Sequence, residues 1–148
     1  MFAAITLAFV LVILTFALHY RVFTALATYT PRLRLSAYNQ MMVIILVIFI
    51  AHLVEIILYA AVYFWAVHGL QLGILDGVAV DDPMTYLYYS TVVYTSLGLG
   101  DIYPNGHIRF ITGIETLNGF LLITWSASFT YLAMNRLLDW NDRCGKSK

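Results

Sequence analysis

The sequence predicts an all-α membrane protein. Three helices cross the bilayer, and one short helix between the second and third enters it without crossing. Three observations carry this expectation. Of 148 residues, 61% are hydrophobic and 11% charged, whereas a soluble domain carries about 25% charged residues. The apolar residues gather into three long runs, and a helix needs about 20 such residues to span hydrocarbon. The one short stretch rich in hydroxyls and glycine, residues 83–101, lies between the second and third of those runs.

The first run covers residues 2–18 and is followed by His19 and Arg21. A signal peptide is the rival reading, and Ala25-Leu26-Ala27 offers a cleavage-like triplet. Signal peptides, however, place their basic residues before the apolar run, and here they come after it. A retained transmembrane helix over about residues 2–26 is therefore expected. Residues 28–40 form a polar connection with Pro31, Arg32, Arg34 and Asn39, where proline stops one helix before the next begins. The second span, 41–67, is interrupted only by His52 and Glu55. Residues 69–82 form a loop with Asp76, Asp81 and Asp82. The third span, 108–138, carries Glu115 and Asn118, and a polar tail covers 139–148. No internal repeat or low-complexity tract is present, and His19, His68 and His107 fall at expected membrane edges with no assigned role.

Charge sets the expected orientation. Arg21, Arg32 and Arg34 lie between spans one and two, and Arg136, Arg143, Lys146 and Lys148 end the chain or lie near its end. No Lys or Arg stands between span two and residue 101. By the positive-inside rule the first connection and the tail are cytoplasmic and the N-terminus is outside; the expected location is a bacterial inner (cell) membrane. The net charge of zero suggests no nucleic-acid partner. The single cysteine, Cys144, has no intrachain partner and reads as an inert cytoplasmic thiol.

Asp82-Pro83 is a helix start: an acceptor at the N-cap, then proline where its missing N–H costs nothing. The helix over 83–95 is about 20 Å long, too short to cross. It must be buried against protein, since irregular backbone at membrane depth survives only against protein or water. Its C-terminal end carries partial negative charge, which favours a cation there. Next comes Ser96-Leu97-Gly98-Leu99-Gly100-Asp101. Alternating left-handed and ordinary residues turn successive carbonyls to one side. Four copies around an axis then make rings of oxygens able to replace a cation's water shell. One chain supplies a quarter of each ring, so a homotetramer is expected.

These residues resemble the pore loop of the potassium channel family, W-W-S-x-x-T-x-T-T-V-G-Y-G-D. It aligns without gaps from Tyr88-Tyr89-Ser90 through Thr95-Ser96-Leu97-Gly98-Leu99-Gly100-Asp101. Tyr103-Pro104, Gly106 and Arg109 are similar to the family's entry into its inner helix. The resemblance covers residues 83–138, with span two as the outer helix. It implies an N-terminal addition with its cytoplasmic connection over 1–40 and a pore domain over 41–138. Within the pore domain it implies an outer helix 41–68, pore helix 83–95, filter 96–101 and inner helix 107–138; the cytoplasmic tail is 139–148.

The function implied is passive conduction of monovalent cations, potassium being the expected ion, with no catalysis and no cofactor beyond potassium ions at the filter carbonyls. Ser96, Leu97, Gly98, Leu99 and Gly100 would form the filter, supported by Tyr89, Thr95, Asp101 and Glu115. Gly119 would be the gating hinge, and Phe120, Ile123, Ala127 and Tyr131 would line the cavity. Leu99 stands where the family has a tyrosine whose hydroxyl braces the filter, and Ser96 where it has threonine. A more plastic filter is expected, and with it a less selective cation channel as an alternative. A non-conducting or regulatory channel-like subunit is another.

His52 and Glu55, three apart, share a helix face. Intramembrane ionisable residues are functional candidates, and this pair reads as a proton-sensing switch or as an anchor for span one or the short helix. A remote reading is a membrane metal or proton-relay protein using His52, Glu55 and Glu115. Glu115 is expected to bond the short helix or the filter backbone, and Asn118 a neighbouring helix. Tyr86, Tyr88, Tyr89 and Tyr94 read as an aromatic belt or as a cuff behind the filter. No span has the regularly spaced arginines of a voltage sensor, and the tail is too short for a ligand-binding domain. Gating is left to pH, lipid, tension or an unidentified regulatory partner.

Overall fold

The computed structural model describes residues 1–77, 82 and 84–138. Asp81, Pro83 and the whole tail 139–148, with Arg143, Cys144, Lys146 and Lys148, lie outside the described residues. Helix α1 spans Phe2–Tyr29 and runs into a 3-10 turn at Thr30–Arg32, where Pro31 occupies the first turn. Helix α2 spans Ala37–His68, α3 Met84–Tyr94 and α4 Ile108–Leu138. α1 with its turn, α2 and α4 are each long and apolar enough to cross a membrane.

α2 begins four residues before the expected Met41. Ser36 caps it, its side chain accepting the Asn39 N–H at 3.3 Å. Such a cap satisfies one of the unpaired donors of a helix start, so the polar residues 37–40 are drawn into the helix. Asp82 does the same for α3: its Oδ1 accepts the Met84 N–H at 2.9 Å.

The structure adds a two-stranded antiparallel sheet to the helical architecture. Strand β1, Gly73–Gly77, pairs with β2, Ile102–Gly106, from Gly73↔Gly106 to Gly77↔Ile102. It ties the loop after α2 to the segment that follows residue 101. The sequence reads residues 69–82 as loop because five residues bounded by glycine carry no usable alternation.

α1 packs against both α2 and α4, and α3 against both α2 and α4. On α1 the buried residues Ala4, Ala8, Leu11, Thr15, His19, Phe23 and Leu26 recur every three or four positions, one stripe of a helix. Its N-terminal part, Ala4, Ala8 and Leu11, joins an apolar cluster with Ile56, Tyr59 and Tyr63 of α2 and with the α3 tyrosines. Its other end, Phe23 and Leu26, joins Ile44 and Ile48, with Phe129 stacked on Phe23 at 4.3 Å. Between the two clusters, along all three long helices, comes a layer of buried polar groups: Thr15, His19, Glu55, Asn118 and Ser126.

Candidate functional site

α3 ends at Tyr94, and the chain then turns back on it. The N–H of Ser96 donates to the Val93 carbonyl at 2.9 Å and that of Leu97 to the Val92 carbonyl at 3.0 Å. From there the backbone alternates: Ser96 has φ +59°, Gly98 +57° and Gly100 +79°. Glycine takes such angles freely, whereas serine does so at a cost held by its surroundings. No heavy atom lies within 4 Å of where a Cβ on Gly98 or Gly100 would stand. Residues 95–100 are all exposed in the single chain, Leu97 and Leu99 at 62% and 58%.

α4 presents two faces. Ile111, Glu115, Asn118, Leu122 and Ser126 point into their own chain, while Phe120, Ile123, Ala127 and Tyr131 are all exposed on the other face. At Gly119, buried between the two, α4 comes closest to α3: a Cβ there would stand 2.2 Å from the Tyr94 carbonyl oxygen.

Each of the four tyrosines of α3 bonds a different part of the molecule. Tyr86 reaches His68 Nε2 at 3.0 Å, and Tyr89 reaches the Thr112 hydroxyl at 2.8 Å. Tyr88 donates to Asp101 Oδ2 at 2.6 Å, bridging α3 to the far end of the glycine loop. The bond to this carboxylate, which the neutral phenol alone can make, holds Tyr88 above the usual tyrosine range. Tyr94 donates to Glu55 Oε2 at 2.5 Å. His68, with no role in the sequence reading, thus receives one at the C-terminal end of α2.

Glu115 is fully buried, and its two oxygens accept from Ser90 of α3 and Tyr63 of α2, both at 2.6 Å. Ser90 also reaches the Ile56 carbonyl at 3.0 Å. Asn118 donates to Thr15 of α1 at 2.9 Å and to Tyr59 of α2 at 3.1 Å.

His52 and Glu55 belong to a different constellation from Glu115, centred on a residue that the sequence left without a role. His19 is fully buried, its Nδ1 2.8 Å from Glu55 Oε1 and its Nε2 2.9 Å from Ser126 Oγ. His52 Nδ1 lies 2.8 Å from the Tyr94 hydroxyl and 3.2 Å from Glu55 Oε2, and its Nε2 3.0 Å from Ser126 Oγ. His19 is thus no membrane-edge residue. The signal that could have found it is its place in the α1 stripe, four residues after Thr15. The ligand atoms of His19, His52 and Glu55 lie within 4.8 Å of one another. Both nitrogens of both rings lie at hydrogen-bond distance from a partner, so the group forms a circuit of side chains. Glu115, with its own partners, stands outside it.

Three apolar spans and a short helix braced between two of them define a helical integral membrane protein. Residues 43–135, more than half of the chain, match the family described as ion channel, and the chain belongs to that family. The match takes in α2 through α4 and leaves out α1. No curated protein and no solved structure matches the chain.

Proposed function

We propose that four copies of this chain assemble around an axis into a channel that passively conducts monovalent cations, potassium foremost. The carbonyls of Ser96, Leu97, Gly98 and Leu99, with the Ser96 hydroxyl, form the ion sites, and Gly100 and Asp101 the mouth. The observation that carries this reading is the alternation of left-handed backbone at 96, 98 and 100 on a run wholly exposed in a single chain. Bare backbone at membrane depth needs protein or water around it, and three further copies plus an aqueous axis supply both. The exposed face of α4, with Phe120, Ile123, Ala127 and Tyr131, then lines the cavity below. Potassium ions are the only bound species the function requires. The N-terminus lies outside and the C-terminus in the cytoplasm, with the α3 C-terminus aimed at the bilayer centre.

Leu99 favours one second reading, a less selective cation channel, because leucine offers no hydroxyl to brace the filter from behind. Both readings are tested by flux from liposomes containing purified protein under opposing potassium and sodium gradients, repeated with Gly98→Ala. Potassium-selective flux abolished by the substitution is the expected result. Flux of both ions selects the second reading. No flux at any pH overturns conduction and leaves a non-conducting or co-assembling subunit.

A further inference from the structure

Five side chains, drawn from all four helices, close a ring of hydrogen bonds between the two apolar clusters. In order they are Glu55 and His19, then Ser126, His52, Tyr94 and back to Glu55. The five contacts measure 2.8, 2.9, 3.0, 2.8 and 2.5 Å. Each is short enough to need a proton between its two atoms. With Glu55 as carboxylate and both imidazoles neutral, the supply is one proton each from His19, Ser126, His52 and Tyr94. Five contacts then share four protons. One contact is left with lone pair against lone pair, and a carboxylate with no exposure carries an uncompensated charge. A fifth proton repairs both faults. Placed on an imidazole it makes an ion pair with Glu55; placed on Glu55 it makes a neutral circuit. Either way every contact is filled and the net charge is zero.

We propose that this ring is a proton-operated latch between α1 and the back of the filter, closed when it holds five protons and open when it holds four. The proposal rests on residues 96–100 being the ion path. Tyr94 is the last residue of α3, and its chain continues into Thr95 and Ser96. The closed ring fixes its hydroxyl while Gly119 admits its carbonyl, so the root of the filter is held from two sides. This supplies a brace that Leu99 cannot. Loss of the fifth proton opens one contact and breaks the closed circuit, so that Tyr94 is held by Glu55 alone rather than by the whole ring. The other titratable groups whose charge reaches the ring are Tyr59 of α2 and Glu115 of α4. Glu115 is already satisfied by Ser90 and Tyr63.

The proton count makes the test specific. In Glu55→Gln the amide contributes one N–H, so the ring closes on five protons with both imidazoles neutral. In Ser126→Ala two contacts vanish, and the three that remain are filled by His19, His52 and Tyr94. Glu55→Gln therefore needs no extra proton, whereas in Ser126→Ala no contact needs one and only the buried charge of Glu55 still calls for it. Full-length protein labelled with 15N-histidine in nanodiscs is followed by NMR from about pH 5 to 9, the range around histidine titration. Signals are assigned with His19→Gln and His52→Gln, and the carboxyl infrared band reports a proton residing on Glu55.

The expected result is one proton beyond four in the wild type, lost in a single step as pH rises, no such step in Glu55→Gln, and a step moved to lower pH in Ser126→Ala, where one of the two faults is gone. Potassium flux from liposomes falls across the same step in the wild type, lacks it in Glu55→Gln and follows the moved step in Ser126→Ala. Four protons throughout in the wild type, or an unchanged flux step in the variants, overturns the latch. Absence of flux in every protein overturns the conduction reading alone, because the NMR count still decides the ring. If Glu55→Gln does not fold, Ser126→Ala carries the comparison.

Discussion

A Cβ at position 119 would stand 2.2 Å from the Tyr94 carbonyl oxygen, so α4 reaches the end of α3 only through glycine. The resemblance assigns Gly119 to a hinge, and α4 runs through it as unbroken helix; in this state its visible work is close approach. Gly119→Ala should force the two helices apart, at about 1–3 kcal/mol, the usual cost of overpacking. A lowered unfolding midpoint in detergent checks this. Glu115 is a second residue whose role is set by its neighbours. Glu115→Ala takes the carboxylate away from the Ser90 and Tyr63 hydroxyls, leaving them the Ile56 carbonyl at 3.0 Å and the Thr112 hydroxyl at 3.3 Å, at about 1–3 kcal/mol for the lost buried bonds. Glu115→Gln keeps one acceptor oxygen and should lose markedly less stability, measured in the same unfolding experiment. At Gly98, by contrast, an added methyl meets open space and the strain is in φ, so Gly98→Ala should act on the ion path more than on the fold.

α3 is eleven residues long, and a helix so short is marginal alone. Its tyrosine hydroxyls fasten it to α2, to α4 and to the end of the glycine loop. All four hydroxyls are thus engaged within the chain. The bond from Tyr88 to Asp101 is the exposed member. Because the folded state raises the Tyr88 value, the bond is fully present below the ordinary tyrosine range, about pH 10, and is lost as pH rises through the elevated value. At neutral pH, Tyr88→Phe should leave the unfolding midpoint nearly unchanged, as exposed substitutions do. It should raise sodium permeability relative to potassium, read from the reversal potential in bilayer recordings. The sheet of β1 and β2 closes the same loop from the outside, pairing Gly77 with Ile102, the residue after Asp101.

For the whole molecule, α1 is the part outside the family match and yet is built into the core. Thr15 and His19 supply partners to Asn118, Glu55 and Ser126. Deleting residues 1–35 should therefore do more than shorten the protein. It would strip one of two acceptors from Asn118 and a hydrogen-bond partner from Glu55, and expose the apolar stripe of α2 and α4. The truncated chain should give little stable protein by size-exclusion chromatography in detergent. Replacing Asn118 and Glu55 by apolar residues should restore part of the yield. A monodisperse truncated protein with unchanged melting would show that α1 is peripheral.

Hydropathy and residue type are local properties of the chain, and they determined the three spans, the short helix between them and the glycine loop at its end. The motif from Tyr88 to Asp101 was legible because backbone chemistry there is written in residue type: only certain residues alternate into left-handed angles. Helix starts were legible where a cap stands beside proline, as at Asp82, and missed at Ser36, where polar residues inside the first turn resemble a connection. The sheet was beyond reach because its two strands are short and distant in sequence. The partners of His19 and Glu115 were likewise decided by tertiary structure. A buried polar side chain declares in sequence that it needs a partner, but the partner lies on another helix, up to 107 positions away in the bond between His19 and Ser126. Only the packing of α1 into the groove of α2 and α4 brings them within hydrogen-bond length.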